Sequence, residues 1–437
     1  MNASTNDAIA LARKNKESSV KALVDLVQIP SLTGEEGDAQ DHLASVLRDA
    51  GAEVDMQEPD ISALFETFPH IAQYPTHWQH DLILPYSDLP NYKSLRNSGL
   101  EDVLNYDQRP NIVASFKGSG GGRSLILNGH IDTVTIEPKH EWTRDPFGAE
   151  IDGGLLYGRG SSDMKGGLMA GLLAIRYLRE AGVPIRGDVI VESVVNEEHA
   201  GNGTLDLVRR GITADGAIVL EPTNNKVAVS HPGGLYWQVT VPGRPRSPGA
   251  RWQSGELDGV SAIEKLPVVI NALINLETAY NETTNDDPME QGRAAFSLVI
   301  GRVTGGHYET VTASEAVLRG GAYFSPVTGD IAEVMDAMRA AIDAANASDP
   351  FLSEMPARLE FLHHDDATRQ SPQIPLAVAL SNVLKQVKRL SLLMFKKHID
   401  IEEDLLCIEH LIAFIASWCN EESPRSFKEA VKESLPK

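Results

Sequence analysis

The chain has 437 residues, 42% of them hydrophobic and 23% charged, a globular composition too long for one compact core. With 39 Lys+Arg against 61 Asp+Glu the formal net charge is −22, which repels nucleic acid and anionic membranes and excludes both as expected partners. Cys407 and Cys419 are the only cysteines, so a secreted disulfide framework is excluded, and Arg13, Lys14 and Lys16 interrupt any apolar leader or transmembrane run at the N-terminus. The cytoplasm is the expected location.

From Asn6 to Val27 apolar positions recur at helical spacing, until "IPSLTGEEG" breaks the pattern. A second helix reads from Asp38 to Ala50, and "AEVDM" reads as a strand. The stretch from Glu58 to Arg109 is rich in aromatics and proline without clear periodicity and reads as an insertion. Three strands follow, each ending in polar residues: "RSLILNGHID", "GDVIVESVVNEE" and "GAIVLEPT". Between the first two, "SDMKGGLMAGLLAIRYLREAG" is an amphipathic helix closed by Gly182. Strands alternating with helices predict an α/β domain on a mainly parallel sheet covered on both faces. After Lys226 the order becomes strand, helix, strand, strand, helix, which predicts a small α+β lid inserted into that domain. The expected division is 1–228 for the first part of the catalytic domain, with its insertion at about 58–109, 229–346 for the lid, and 347–437 for the return to the catalytic domain.

Open α/β sheets bind ligands beyond the carboxyl ends of their strands, and the chemistry-bearing residues gather there. "SLILNGHIDTV" carries His130 and Asp132 two residues apart on a predicted strand, hence on one face. Asp163 follows in "GRGSSDMKGG", Glu197 and Glu198 in "VVNEEHAGNGT", and Glu221 in "VLEPT". One histidine and five carboxylates on one edge repel one another unless a cation sits among them. Oxygen and imidazole donors without thiolate suit zinc, manganese or cobalt. In this reading His130 ligates a metal and Asp132 orients it, while Asp163 is placed to bridge two ions. One of Glu197 and Glu198 binds metal, and the other faces substrate as general base. Taken singly, each residue has a structural explanation: a satisfied histidine, an N-cap aspartate, a turn at "EPT". "KGSGGGRS" precedes a strand instead of a helix and is a turn, and neither a P-loop nor a Gly-x-Ser-x-Gly elbow is present.

"LILNGHIDTV", "EWTRDPFGAEIDGGLLYGRGSSDMKGGLMAGLLA", "NEEHAGNGT" and "LEPT" resemble the M20 metallopeptidase family. That family includes acetylornithine deacetylase, succinyl-diaminopimelate desuccinylase, aminoacylase and glutamate carboxypeptidase. The resemblance runs from "LVQIPSLTGEEG" to about Thr223 and covers the lid in outline. It implies an α/β metallohydrolase with an inserted α+β lid that mediates homodimerisation and two zinc ions per chain, replaceable by cobalt or manganese. It also implies cleavage of amide bonds next to a carboxylate-bearing amino acid. By the same resemblance His130, Asp163 and Glu221 hold one metal, with Asp163 bridging, and Glu198 holds the other. Glu197 matches the general base, and Asp132 matches the residue that orients His130. The function implied is deacylation of an N-acyl amino acid or related small amide, with a dipeptidase or carboxypeptidase of the same family as the alternative.

Three departures from the family pattern bear on that function. Ser247, in "VPGRPRSPGARW", stands where the lid histidine is expected, and Thr310 and Tyr323 stand near the places of an Asn and a carboxylate-binding Arg. "PLAVALSNVLKQV" runs into "KRLSLLMFKKHIDIEEDLL" without the usual Gly-Pro-Gly loop and final metal-binding histidine. His398 lines up just after that turn, and His363 and His364 are the other histidines in this part of the chain. The departures set a second expectation: a member with one metal ion and impaired or absent turnover.

Overall fold

The N-terminal helical pattern forms two helices rather than one, α1 (Ala3–Lys14) and α2 (Lys16–Val27), because Asn15 between them leaves the helical region at φ −98° and ψ 22°. The computed structural model describes residues 3–69, 86, 104–223, 225–282, 294–386 and 398–421. The chain divides into two units: Met1–His80 with Asn91–Ala228 and Pro372–Lys437, and Asp81–Pro90 with Val229–Ser371.

In the first unit α3 (Gly37–Asp49) buries Ala39, Leu43, Ala44 and Leu47, the single apolar stripe its spacing dictates. The sheet has the order β1 (Glu53–Gln57), β2 (Asn111–Phe116), β4 (Val189–Val194), β3 (Leu125–His130), β5 (Ala217–Val219). β3 runs parallel to both neighbours, β4 and β5, whereas β2 pairs antiparallel with β4 and with β1. The sheet is therefore mixed, with its parallel part at the side that carries the polar strand ends. All six residues of β3 are buried, Leu125, Ile126 and Leu127 on both faces of the sheet and then the polar Asn128 and His130. Helix α4 (Gly166–Glu180) packs on β3, and a side chain at Gly167 would put its Cβ 2.1 Å from the Leu220 carbonyl oxygen, so only glycine permits that approach. The helix Ile401–Trp418 closes the unit against α4 and α1.

The second unit is an antiparallel sheet in the order β7 (Phe296–Gly305), β8 (Glu315–Phe324), β6 (Gly233–Pro242), β9 (Arg358–Asp365). Leu235, Trp237, Val239 and Val241 alternate along β6 and are fully buried, forming a core with α5 (Ala262–Glu282) and α6 (Ile331–Ser348). A capping box starts α6: Asp330 accepts from the Glu333 N–H at 2.9 Å, and the Glu333 carboxylate accepts from the Asp330 N–H at 3.1 Å.

The architecture is α/β with an inserted α+β unit, as the spacing predicts. The inserted unit continues past residue 346 to Ser371, because β9 pairs with β6. Most of the stretch 58–109 and residues 387–397 lie outside the described residues. Among the described residues no helix is long and apolar enough to cross a membrane.

Candidate metal centre

β3 delivers His130 as its last residue, 1% exposed, to the carboxyl edge of the parallel strands. Asp132 lies two residues beyond the strand, in a segment fixed by the Ile131 N–H on the Val194 carbonyl at 3.0 Å and the Thr133 N–H on the Ser31 carbonyl at 2.9 Å. His130 Nδ1 meets the backbone carbonyl of Asp132 at 2.9 Å, while the carboxylate stands 3.7 Å away. The carboxylate instead accepts from the Glu197 N–H at 3.0 Å, the Glu198 N–H at 3.2 Å and the Thr33 hydroxyl at 2.7 Å. Asp132 thus fixes the imidazole with its carbonyl and the glutamate pair with its carboxylate.

Asp163 comes from the turn Ser161–Lys165 that leads into α4. The buried Lys165 ammonium donates to the carbonyls of Ile29 at 2.8 Å and Leu26 at 3.2 Å, tying that turn to the end of α2, and burial pushes its pKa down to about 7. Glu197 and Glu198 open a helical turn just after Asn196, which sits at φ 61° in the left-handed region. Glu221 follows β5, where the Leu220 N–H donates to the Asn128 carbonyl at 2.9 Å.

His130 Nε2 lies 3.1 Å from Asp163 Oδ1, 3.6 Å from Glu221 Oε1 and 3.7 Å from Glu197 Oε2. One ligand atom each from His130, Asp163 and Glu221 fall within 4.8 Å of one another. Glu198 stands outside that group of three. Burial pushes His130 down, yet the surrounding carboxylates, Glu197 foremost, outweigh it and hold the ring well above its usual pKa. Burial raises Glu221 to about 8 against the pull of His130, and burial also raises Glu198 well above the carboxylate range. Desolvation pushes Asp163 up, but its bond and charge interaction with His130, together with Glu221 and Arg159, outweigh it and hold Asp163 low. A divalent cation among these donors would offset the crowding of carboxylates. Imidazole plus carboxylate at this spacing fits such an ion.

Arg159, in the same turn region, is pushed down by burial and pulled up by Glu198 and Asp163. Its guanidinium lies 5.2 Å from the Trp142 ring, and Nη2 donates to the Thr135 carbonyl at 3.1 Å. Thr33, Arg159, Lys165 and Asn196 escape the sequence argument because their partners are distant in the chain. Ser247, Thr310, Tyr323, His363 and His364 belong to the second unit. There His363 Nε2 pairs with Asp365, and His364 Nδ1 meets the Tyr86 hydroxyl at 2.5 Å. The backbone of His398 pairs with Tyr157.

An α/β unit interrupted by an α+β unit, with a histidine–carboxylate group at the parallel strand ends, is the build of a metal-dependent hydrolase family. Residues 126–389 match Peptidase_M20, Peptidase family M20/M25/M40, and the chain belongs to that family. It is 33% identical over 229 residues to an N-formyl-4-amino-5-aminomethyl-2-methylpyrimidine deformylase from Bacillus subtilis, covering 51% of this chain and 53% of that one. Against the deformylase of the same name from Halalkalibacterium halodurans it is 34% identical over 292 residues, 63% of this chain and 65% of the relative. A probable succinyl-diaminopimelate desuccinylase from Staphylococcus aureus is 30% identical over 51% of this chain and 55% of its own length. The chain thus spans between half and two-thirds of these relatives. In fold it is similar to the yeast di-peptidase Dug1p, with a TM-score of 0.68 at 14% identity over 96% of this chain and 100% of that one. Human carnosine dipeptidase 1 gives 0.65 at 13% identity over 95% and 99% of the two chains.

Proposed function

We propose that the chain hydrolyses the amide bond of a small N-acyl substrate, an N-acyl amino acid or related amide, using zinc held by His130, Asp163 and Glu221 and Glu197 as general base. The observation that carries this reading is the convergence of those three ligand atoms within 4.8 Å, with Glu197 Oε2 3.7 Å from His130 Nε2. Glu198 belongs to the reading as the residue that, with Asp163, would hold a second ion, and cobalt or manganese would substitute at these donors. A divalent ion bound there supplies Lewis acidity, polarising the substrate carbonyl and lowering the pKa of water. Glu197, its side chain 43% exposed, takes a proton from the attacking water as the water oxygen bonds to the amide carbon. It returns that proton to the leaving nitrogen as the C–N bond breaks. Asp132 keeps both glutamates in register through their backbone N–H groups.

The names of the curated relatives, deformylase and desuccinylase, support deacylation over peptide cleavage. A homodimer formed through the second unit is part of the reading, supported by edge strand β7, whose Val299 and Val303 are 60% and 51% exposed. A cytoplasmic location is part of it too, and both cysteines are free thiols.

One observation favours a second reading, a family member with impaired turnover. Among the described residues a single group of three has the reach of metal ligands, and Glu198 stands outside it. Glu197→Gln decides between the roles. It is expected to slow hydrolysis of N-formyl, N-acetyl and N-succinyl amino acids by about 100-fold or more while keeping its metal. Full activity in that variant removes the base assignment. A metal-loaded parent that hydrolyses none of these substrates favours the second reading.

A further inference from the structure

The return of the stretch 58–109 to the sheet places Tyr106 under the loop that carries Glu197 and Glu198. Tyr106 is 3% exposed, and its hydroxyl accepts from the Asn196 side-chain amide at 2.6 Å and from the Asn202 side-chain amide at 2.9 Å. These two asparagines flank the helical turn Glu197–Ala200.

Asn196 holds φ 61°, a conformation that costs a non-glycine residue free energy and persists where its surroundings hold it. Several contacts do so. The Asn196 carbonyl accepts from the N–H groups of Gly201 at 2.9 Å and Ala200 at 3.3 Å. Asn111 accepts from the Val195 N–H at 3.1 Å and donates to the Gly203 carbonyl at 2.8 Å. Asp132 receives the next two N–H groups. Tyr106 supplies the clamp on the Asn196 side chain itself.

Tyr106 is in turn anchored. The Arg109 guanidinium lies 4.7 Å from its ring and is paired through both arms with Glu36, at 2.6 and 2.8 Å. Glu36 is fully buried at the start of α3, so the brace rests on the rigid part of the unit. A hydroxyl placed between two amides that bracket Glu197 and Glu198 has no counterpart in the requirements of the core, where a phenylalanine would fill the same space.

We infer that Tyr106 is a positioning residue: its hydroxyl, by holding Asn196 and Asn202, sets where the Glu197 and Glu198 carboxylates stand relative to His130. The inference rests on the proposed role of Glu197, and it is tested in two ways that fail separately. In Tyr106→Phe, hydrogen exchange across Val195–Gly203 is expected to quicken at the Glu197 and Glu198 N–H groups while the urea midpoint stays close to the parent's. On an N-acyl amino acid that the parent turns over, kcat is expected to fall about tenfold or more with KM nearly unchanged, since small misplacements of reacting groups cost up to about 100-fold. Parent-like exchange in Tyr106→Phe overturns the brace. Faster exchange with an unchanged kcat also overturns it, because the loop would then not govern the reaction. If the parent hydrolyses no amide, the functional reading fails and the exchange measurement alone decides the brace.

Discussion

His130 is nearly sealed from water, and the carboxylates around it reverse the usual effect of burial on its charge. His410 shows the effect without that reversal. It is 4% exposed on the helix Ile401–Trp418, with no hydrogen-bond partner at either ring nitrogen among the described residues, and burial lowers its pKa from 6.5 against a weaker opposing pull from Glu409. Folding therefore favours the neutral ring. The stability this gives is complete above the unfolded value and is lost as pH falls below it. His410→Leu is accordingly expected to flatten the fall of the urea midpoint between about pH 8 and about pH 5.5, relative to the parent. Parallel curves for the two proteins would contradict it. The residues of the proposed centre stood out in the sequence because each ends a strand or opens a turn in sequence order. What Asp132 does was only half legible. Its carboxylate bonds to Thr33, 99 positions away, and to the Glu197 and Glu198 N–H groups, 65 and 66 positions away, and no local spacing encodes such pairs. Tyr106 was hidden for the same reason, 90 positions from Asn196.

At the scale of elements, periodicity located α3, α4, β3 and β4 because each buries one continuous face. It missed β9 because a bulge between Phe361 and His363 breaks the period of two, leaving Phe361, Leu362, His363 and His364 all buried. It joined α1 to α2 because the apolar spacing continues across Asn15 while the backbone does not. Strand β7 carries the element-scale prediction. It is an edge strand of the described sheet; Asn281 and Glu277 side chains bond to its Phe296 and Leu298 N–H groups, which leaves the part from the exposed Val299 to Val303 as the surface for pairing with a second copy unless charge blocks it. Val299→Lys with Val303→Lys is expected to halve the mass measured by light scattering without changing the helix content. A parent that is already monomeric, or a double variant that stays dimeric, would contradict a dimer built on this edge.

For the whole molecule, composition and charge placed the chain among globular proteins, and the alternation of elements gave an α/β unit with an α+β insertion. The return to the first unit at Pro372 was not legible, since β9 belongs to the inserted sheet by pairing that only the folded chain shows. His130, Asp163, Glu197, Glu198 and Glu221 all belong to the first unit, so its sheet and turns alone position the proposed centre. The most direct test of that centre is elemental analysis of freshly purified protein after gel filtration, comparing the parent with His130→Ala, Asp163→Asn and Glu221→Gln. The parent is expected to carry at least one equivalent of zinc per chain, and each variant less than half of the parent's content. A parent without bound metal, or variants that retain the parent's content, would contradict the metal centre on which the proposed hydrolysis depends.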